Sequence, residues 1–122
     1  MNTQSTAHGH IDITETLVRL YVFLAQSLDR CLNEAARATY PEHELQSHFS
    51  STRAKMKEML SVNRVVKGNV EQECNRVLSL IAACLPDGTG KTAAMDEVKT
   101  ERAVLRNKTM ALSDLLAVFR AA

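Results

Sequence analysis

A chain of 122 residues, 45 % hydrophobic and 24 % charged, has the size of one globular domain and is too short for two ordinary ones. Fifteen Lys and Arg against fourteen Asp and Glu leave a formal charge of +1, without the basic excess of a dedicated nucleic-acid binder or the polybasic cluster of a membrane-surface protein. Four glycines, two prolines and 4 % aromatics argue against all-β and loop-rich catalytic folds, whose turns and ligand-hugging backbone need more of these residues.

Residues 1–11 are polar, contain Gly9 and show no periodicity, which predicts a disordered tail ahead of a single helical domain over residues 12–122. Asp12 or Thr14 can cap the first helix, and Glu15 favours the positive end of its dipole. Leu17, Tyr21, Leu24, Leu28, Cys31 and Ala35 then alternate steps of four and three, a coiled-coil-like seam widened by Val18, Leu20 and Leu32. Pro41 biases Tyr40 away from helical geometry and suits the first turn of a second helix. There Leu45, Phe49, Thr52, Met56, Met59, Asn63 and Val66 repeat the spacing. Gly68-Asn69 offers a break with a new cap, and a continuous helix through Gly68 is the alternative, since one glycine costs only about 1 kcal/mol. Val70, Cys74, Val77, Ile81 and Leu85 form the next stripe. Pro86-Asp87-Gly88-Thr89-Gly90 is a strong punctuation mark, and Thr92 can cap a last helix. Its seam is Met95, Val98, Leu105, Leu112, Leu116 and Phe119, with Arg102 and Thr109 in two positions a heptad would fill with apolar groups.

These stripes predict an all-α fold, helical hairpins forming a three- to four-helix bundle with coiled-coil-like seams. Cys31, Cys74 and Cys84 form an odd set with no CxxC, the N-terminus lacks a basic start and an apolar stretch, and the longest apolar run, Leu80 to Leu85, is far short of a membrane span. The expectation is a reduced intracellular compartment with the cysteines as small core residues.

Chemistry-bearing motifs do not assemble. Gly88-Thr89-Gly90-Lys91-Thr92 ends in GKT, but a phosphate loop needs glycine where Leu85 stands, and a strand rather than a helix before it. His8 and His10 lack further ligands, and His43 and His48 are five apart, off the i, i+4 spacing that puts two imidazoles on one face. All four histidines read as ordinary exposed residues. No Ser/His/Asp or Cys/His arrangement stands out, so no enzyme activity and no cofactor are expected. Polar seam residues carry more information. Asn63, Arg102 and Thr109 either fix register and partner choice or face water, and Arg102 can lay its stem on the apolar face while its guanidinium stays wet.

Residues 97–120 run from a charged stretch into Leu105, an Arg106-Asn107 pair and a leucine-rich end at Leu112, Leu115 and Leu116. This helix resembles the closing helix of small subunits of the Mediator transcription coactivator, and Leu80-Ile81 to Leu85-Pro86 followed by a polar loop is similar to the segment preceding it there. The first two helices carry no pattern of that family. The resemblance implies helical hairpins that assemble into larger bundles with neighbouring subunits, and a nuclear location.

The expected function is a non-catalytic subunit of a multiprotein assembly, with a chaperone, adaptor or tethering-complex subunit as the alternative. Its partners would be other helical proteins, with no direct nucleic acid, membrane or small-molecule substrate. The residues expected to dock them are the seam positions Leu17, Tyr21, Leu24, Leu28, Asn63, Val98, Arg102, Leu105, Leu112, Leu116 and Phe119. On this reading Leu24→Asp or Leu112→Asp abolishes assembly, whereas His10→Ala and Lys91→Ala leave melting temperature and binding unchanged. Loss of a bound nucleotide with Lys91→Ala would restore the phosphate-loop reading.

Overall fold

A computed structural model of the protein describes residues 3–35, 42–61, 64–84 and 91–121. The described chain is all-α: α1 (Thr3–Ala35), α2 (Glu42–Leu60), α3 (Arg64–Ala83) and α4 (Lys91–Ala121), with no strand among the described residues. At 1.5 Å per residue α1 and α4 are each nearly 50 Å long and α2 and α3 only about 30 Å.

Side-chain pairs set the helix directions. Glu15 and Asp29 of α1 meet Arg120 and Arg102 of α4, so those two helices run antiparallel. His48 of α2 reaches the Ser27 carbonyl of α1 at 2.8 Å. Arg76 and Glu73 of α3 pair with Glu101 and Lys108 of α4. The order is up-down-up-down, with α1 packed on all three other helices, its most extensive contact being with α4. Helices α2 and α4 do not pack together among the described residues.

One core joins the four helices. Leu20, Leu24, Leu28 and Cys31 of α1 meet Leu45 and Met56 of α2, Val70, Val77 and Ile81 of α3, and Val98 and Leu105 of α4, all buried. The three cysteines are free and buried, small core residues as their spacing suggested. Hydroxyls within the helices are satisfied locally: Thr16, Ser27, Thr100 and Thr109 each donate to the carbonyl four residues earlier.

Three expectations are corrected. Helix α1 extends back to Thr3, through most of the predicted tail. Residues 3–11 contain no proline, and Gly9 costs only about 1 kcal/mol within a helix whose nucleus is already formed downstream. The interruption after α2 falls at Ser61, not Gly68. Ser61 donates its backbone N–H to the Lys57 carbonyl at 3.0 Å and its hydroxyl to the Glu58 carbonyl at 2.8 Å, serving carbonyls left open at the helix end. Gly68 lies inside α3, where Val66 and Val70 on either side are fully buried and hold the helix together across it. Val66 therefore opens the α3 stripe instead of closing that of α2. His48, expected at the surface, is buried. It follows Leu45 by three residues and precedes Thr52 by four, which puts it on the core-facing side of α2, where the Ser27 carbonyl supplies its partner. His43 is exposed. The predicted turns at Tyr40-Pro41 and residues 86–90 lie outside the described residues.

A methyl group at Gly68 would meet nothing within 4 Å, and no glycine among the described residues has a positive φ. Gly68→Ala is expected to stabilise the protein by about 0.5–1 kcal/mol, read as a melting temperature a few degrees higher. A lower melting temperature would place the helix break back at Gly68.

Candidate protein-docking surfaces

The seam residues are largely consumed inside the chain. Leu24, Leu28, Val98 and Leu105 have no exposed surface, and Tyr21 and Leu116 retain less than a tenth of theirs. They cannot offer themselves to a partner while the bundle is folded, which corrects the expectation that they would. The physical reason is that four apolar stripes on four short-linked helices find one another within the chain. Leu17, Arg102, Leu112 and Phe119 stay half-buried, and Asn63 lies outside the described residues.

Arg102 does not point at a partner either. Its Nη1 donates to Asp29 Oδ1 at 3.0 Å, and Arg106 Nη2 donates to both carboxylate oxygens of the same Asp29 at 3.0 and 3.1 Å. Two guanidiniums one turn apart on α4 thus clamp one carboxylate on α1. The groups are one-third to one-half exposed, so the clamp sets register more than it adds stability. Thr109 is half-buried, its hydroxyl held by the Leu105 carbonyl at 2.9 Å.

A second polar cluster joins α1, α3 and α4. Lys108 donates from Nζ to Glu73 Oε1 at 2.6 Å and stands 5.7 Å from the centre of the Tyr21 ring, within cation–π range. Arg76 donates from Nε to the buried Glu101 carboxylate at 2.8 Å. Sequence reasoning missed Asp29, Glu73 and Glu101. They carry no signal beyond being acids on largely polar faces, and only the partner helix shows that they are paired.

What remains at the surface is an apolar ridge on α4. Val104, Leu115 and Val118 are 39, 43 and 64 % exposed, and Met110 is 65 % exposed. At 100° per residue Val104, Ala111, Leu115 and Val118 fall within about 60° of one another, roughly a third of a turn from the core-facing Leu105 and Leu116. Two shallow grooves border the α1–α4 pair. One, of about 410 Å³, is lined by Leu17, Tyr21, Lys108, Ala111 and Leu112. The other, of about 330 Å³, runs past Val22, Ala25, Thr109 and Met110. The spacing of seven, four and three from Val104 to Val118 was the signal available in sequence, hidden behind the stronger core seam.

The phenol and thiols of the core are held in their protonated forms. Burial, and then the neighbouring Glu73, push the Tyr21 phenol above its usual range. The Cys31 thiol is raised by its hydrogen bond with Cys84 and by burial. Burial, followed by the charges of Glu73 and Glu71, raises Cys74 to about 11. Thiols held this way are poor nucleophiles. Among the described residues no group of three or more His, Cys, Asp or Glu is placed to hold a metal, and no helix is long and apolar enough to cross a membrane.

No family model, no curated protein and no solved structure matches the chain. Function has to be argued from this chain's own surface.

Because folding raises these three pKa values, the folded chain keeps protons that the unfolded chain releases above the ordinary values of 9.0 for the thiols and 10.0 for the phenol. Their contribution to stability is full below pH 9 and is lost as pH rises toward the folded values. The melting temperature is expected to fall between pH 9 and pH 11, less steeply in Tyr21→Phe. A profile independent of pH across that window would contradict the burial of these groups.

Proposed function

We propose that this protein is a non-catalytic structural subunit that docks helices of partner proteins on the α1–α4 face of its bundle. The observation that carries the reading is the α4 ridge: Val104, Leu115 and Val118 left in water on one face with Ala111, on a helix whose other face already fills the core. Scattered exposed apolar residues are ordinary, but a line of them beside a groove is the form a helix-packing surface takes. Helices α1 and α4 also outreach α2 and α3 by more than a third of their length, so a partner helix can lie along the long pair.

The likeness of α4 to the closing helices of Mediator subunits supports a coactivator-type assembly as the setting, and with it a nuclear location. Partner choice would then reside in the ridge and the half-buried Leu17, Leu112 and Phe119, not in the fully buried seam.

Leu24→Asp no longer serves as a test, because it would break the core and unfold the monomer. Leu115→Lys with Val118→Lys is the better variant. Both positions are exposed, and cations suit the last turns of a helix. The tagged chain, isolated from its own cells, is expected in a complex of fixed stoichiometry with other helical proteins. The double variant should melt like the unaltered chain and be recovered outside that complex. A chain recovered only as free monomer, or a double variant that stays in the complex, would overturn the proposal.

A further inference from the structure

The near-neutral total charge conceals a local imbalance. Five of the fifteen Lys and Arg, but one of the fourteen Asp and Glu, fall between Ser51 and Val70. Folding concentrates them, because this stretch is the end of α2 and the start of α3, brought side by side across Ser61. On the outer side of that hairpin lies a groove of about 400 Å³. Its floor is apolar, built by Met56 and Leu60 of α2 with Cys74 and Leu78 of α3. Its rim is cationic, with Arg53 and Lys57 on one wall and Lys67 on the other, offset by Glu71 alone.

Five cations of the fold are engaged between helices, whereas Arg30, Arg64 and Lys99, like the cations of the rim, are exposed and unpaired among the described residues. Arg76, Arg102, Arg106, Lys108 and Arg120 each tie one helix to another through a carboxylate. Arg53, Lys57 and Lys67 are exposed and make no ion pair among the described residues. Three unpaired like charges around one groove repel one another, a cost that an acidic ligand relieves.

We propose that the α2–α3 groove is a docking site for an acidic amphipathic helix of a partner protein. The groove follows α3 from Lys67 to Leu78, about 17 Å at 1.5 Å per residue, the length of three helical turns. A helix laid between α2 and α3 would set apolar side chains over the half-buried Leu60 and Leu78, Met56 and Cys74 being buried in the core. Its flanking Asp and Glu would face Arg53 and Lys57 on one side and Lys67 on the other. A nucleic-acid backbone would use the cations but leave the apolar floor wet. A lipid surface favours apolar groups that project from the protein, whereas these are recessed. The groove lies on the α2–α3 hairpin, away from the α4 ridge, and the proposal is independent of the assembly reading.

The test is fluorescence anisotropy on the full chain with a labelled 14-residue peptide carrying Leu at i, i+4 and i+7 and Glu on both flanks. Comparison probes are the scrambled peptide, the same peptide with Lys for Glu, a 20-nucleotide single-stranded RNA, and phosphatidylserine vesicles. Saturable binding of the acidic peptide alone, weakened by salt, is expected. Lys57→Glu with Lys67→Glu should weaken it by about tenfold or more and create binding of the Lys-bearing peptide. Both positions are exposed, so the chain should stay folded, with the melting temperature lowered by no more than the loss of one cation from the last turn of α2. Leu115→Lys with Val118→Lys should bind the acidic peptide as the unaltered chain does, which separates this result from that of the α4 ridge. No binding, equal binding of the scrambled peptide, or capture of the RNA or vesicles by the same lysines in place of the peptide would each overturn the proposal.

Discussion

The antiparallel contact of α1 with α4 is the constraint on which the rest of the molecule is built. It joins the two longest helices, brings Leu24, Leu28, Val98 and Leu105 into one core, and carries Asp29 between Arg102 and Arg106. A pair of Glu15 with Arg120 marks its other end. The apolar contact provides most of the stability, since burying a leucine contributes about 2 kcal/mol and a half-exposed ion pair under about 1 kcal/mol. The ion pairs decide instead which turn of α4 faces which turn of α1. Helices α2 and α3 then close one side of this pair as a shorter hairpin, and each contributes a stripe that the long pair alone would leave in water.

That division of labour has a functional consequence. A protein whose core consumes its best seams can bind partners only with what the bundle leaves over, and two surfaces are left. On α4 the remainder is apolar and follows a helix. On the α2–α3 hairpin it is an apolar floor between unpaired cations. The two differ in chemistry, and they suit two helices of different character. The interior, by contrast, is arranged to stay neutral: its thiols and its buried phenol are held protonated, and its buried carboxylate, Glu101, is matched by Arg76.

Arg102 and His48, polar residues beside apolar stripes, are both paired within the chain. Arg102 occupies a seam position and satisfies its charge on a neighbouring helix, which gives it the register role that the heptad break suggested, though within the chain and not toward a partner. His48 does the same by a hydrogen bond to the Ser27 carbonyl. For the buried His48, losing the partner costs more than the bond contributes, because the group is left desolvated and unmatched, whereas the part-exposed Arg102 and Asp29 keep access to water. Such residues therefore specify an arrangement more than they stabilise it.

By itself the sequence determined the all-α class, the core stripes of α1 and α4, and the burial of the cysteines, because a helix repeats every 3.6 residues and an apolar stripe at that period has to be covered. It did not determine where α2 ends. Gly68 is a local signal weaker than the burial of Val66 and Val70 around it, and only packing weighs the two. Nor could it show that Leu24, Leu28, Val98 and Leu105 would cover one another instead of a partner, since a seam looks the same whatever fills it. The cationic groove was written in the charges of residues 51–70, but its apolar floor needs Met56 and Leu60 set against Cys74 and Leu78. Those residues belong to two helices, and only the tertiary fold brings them onto one surface.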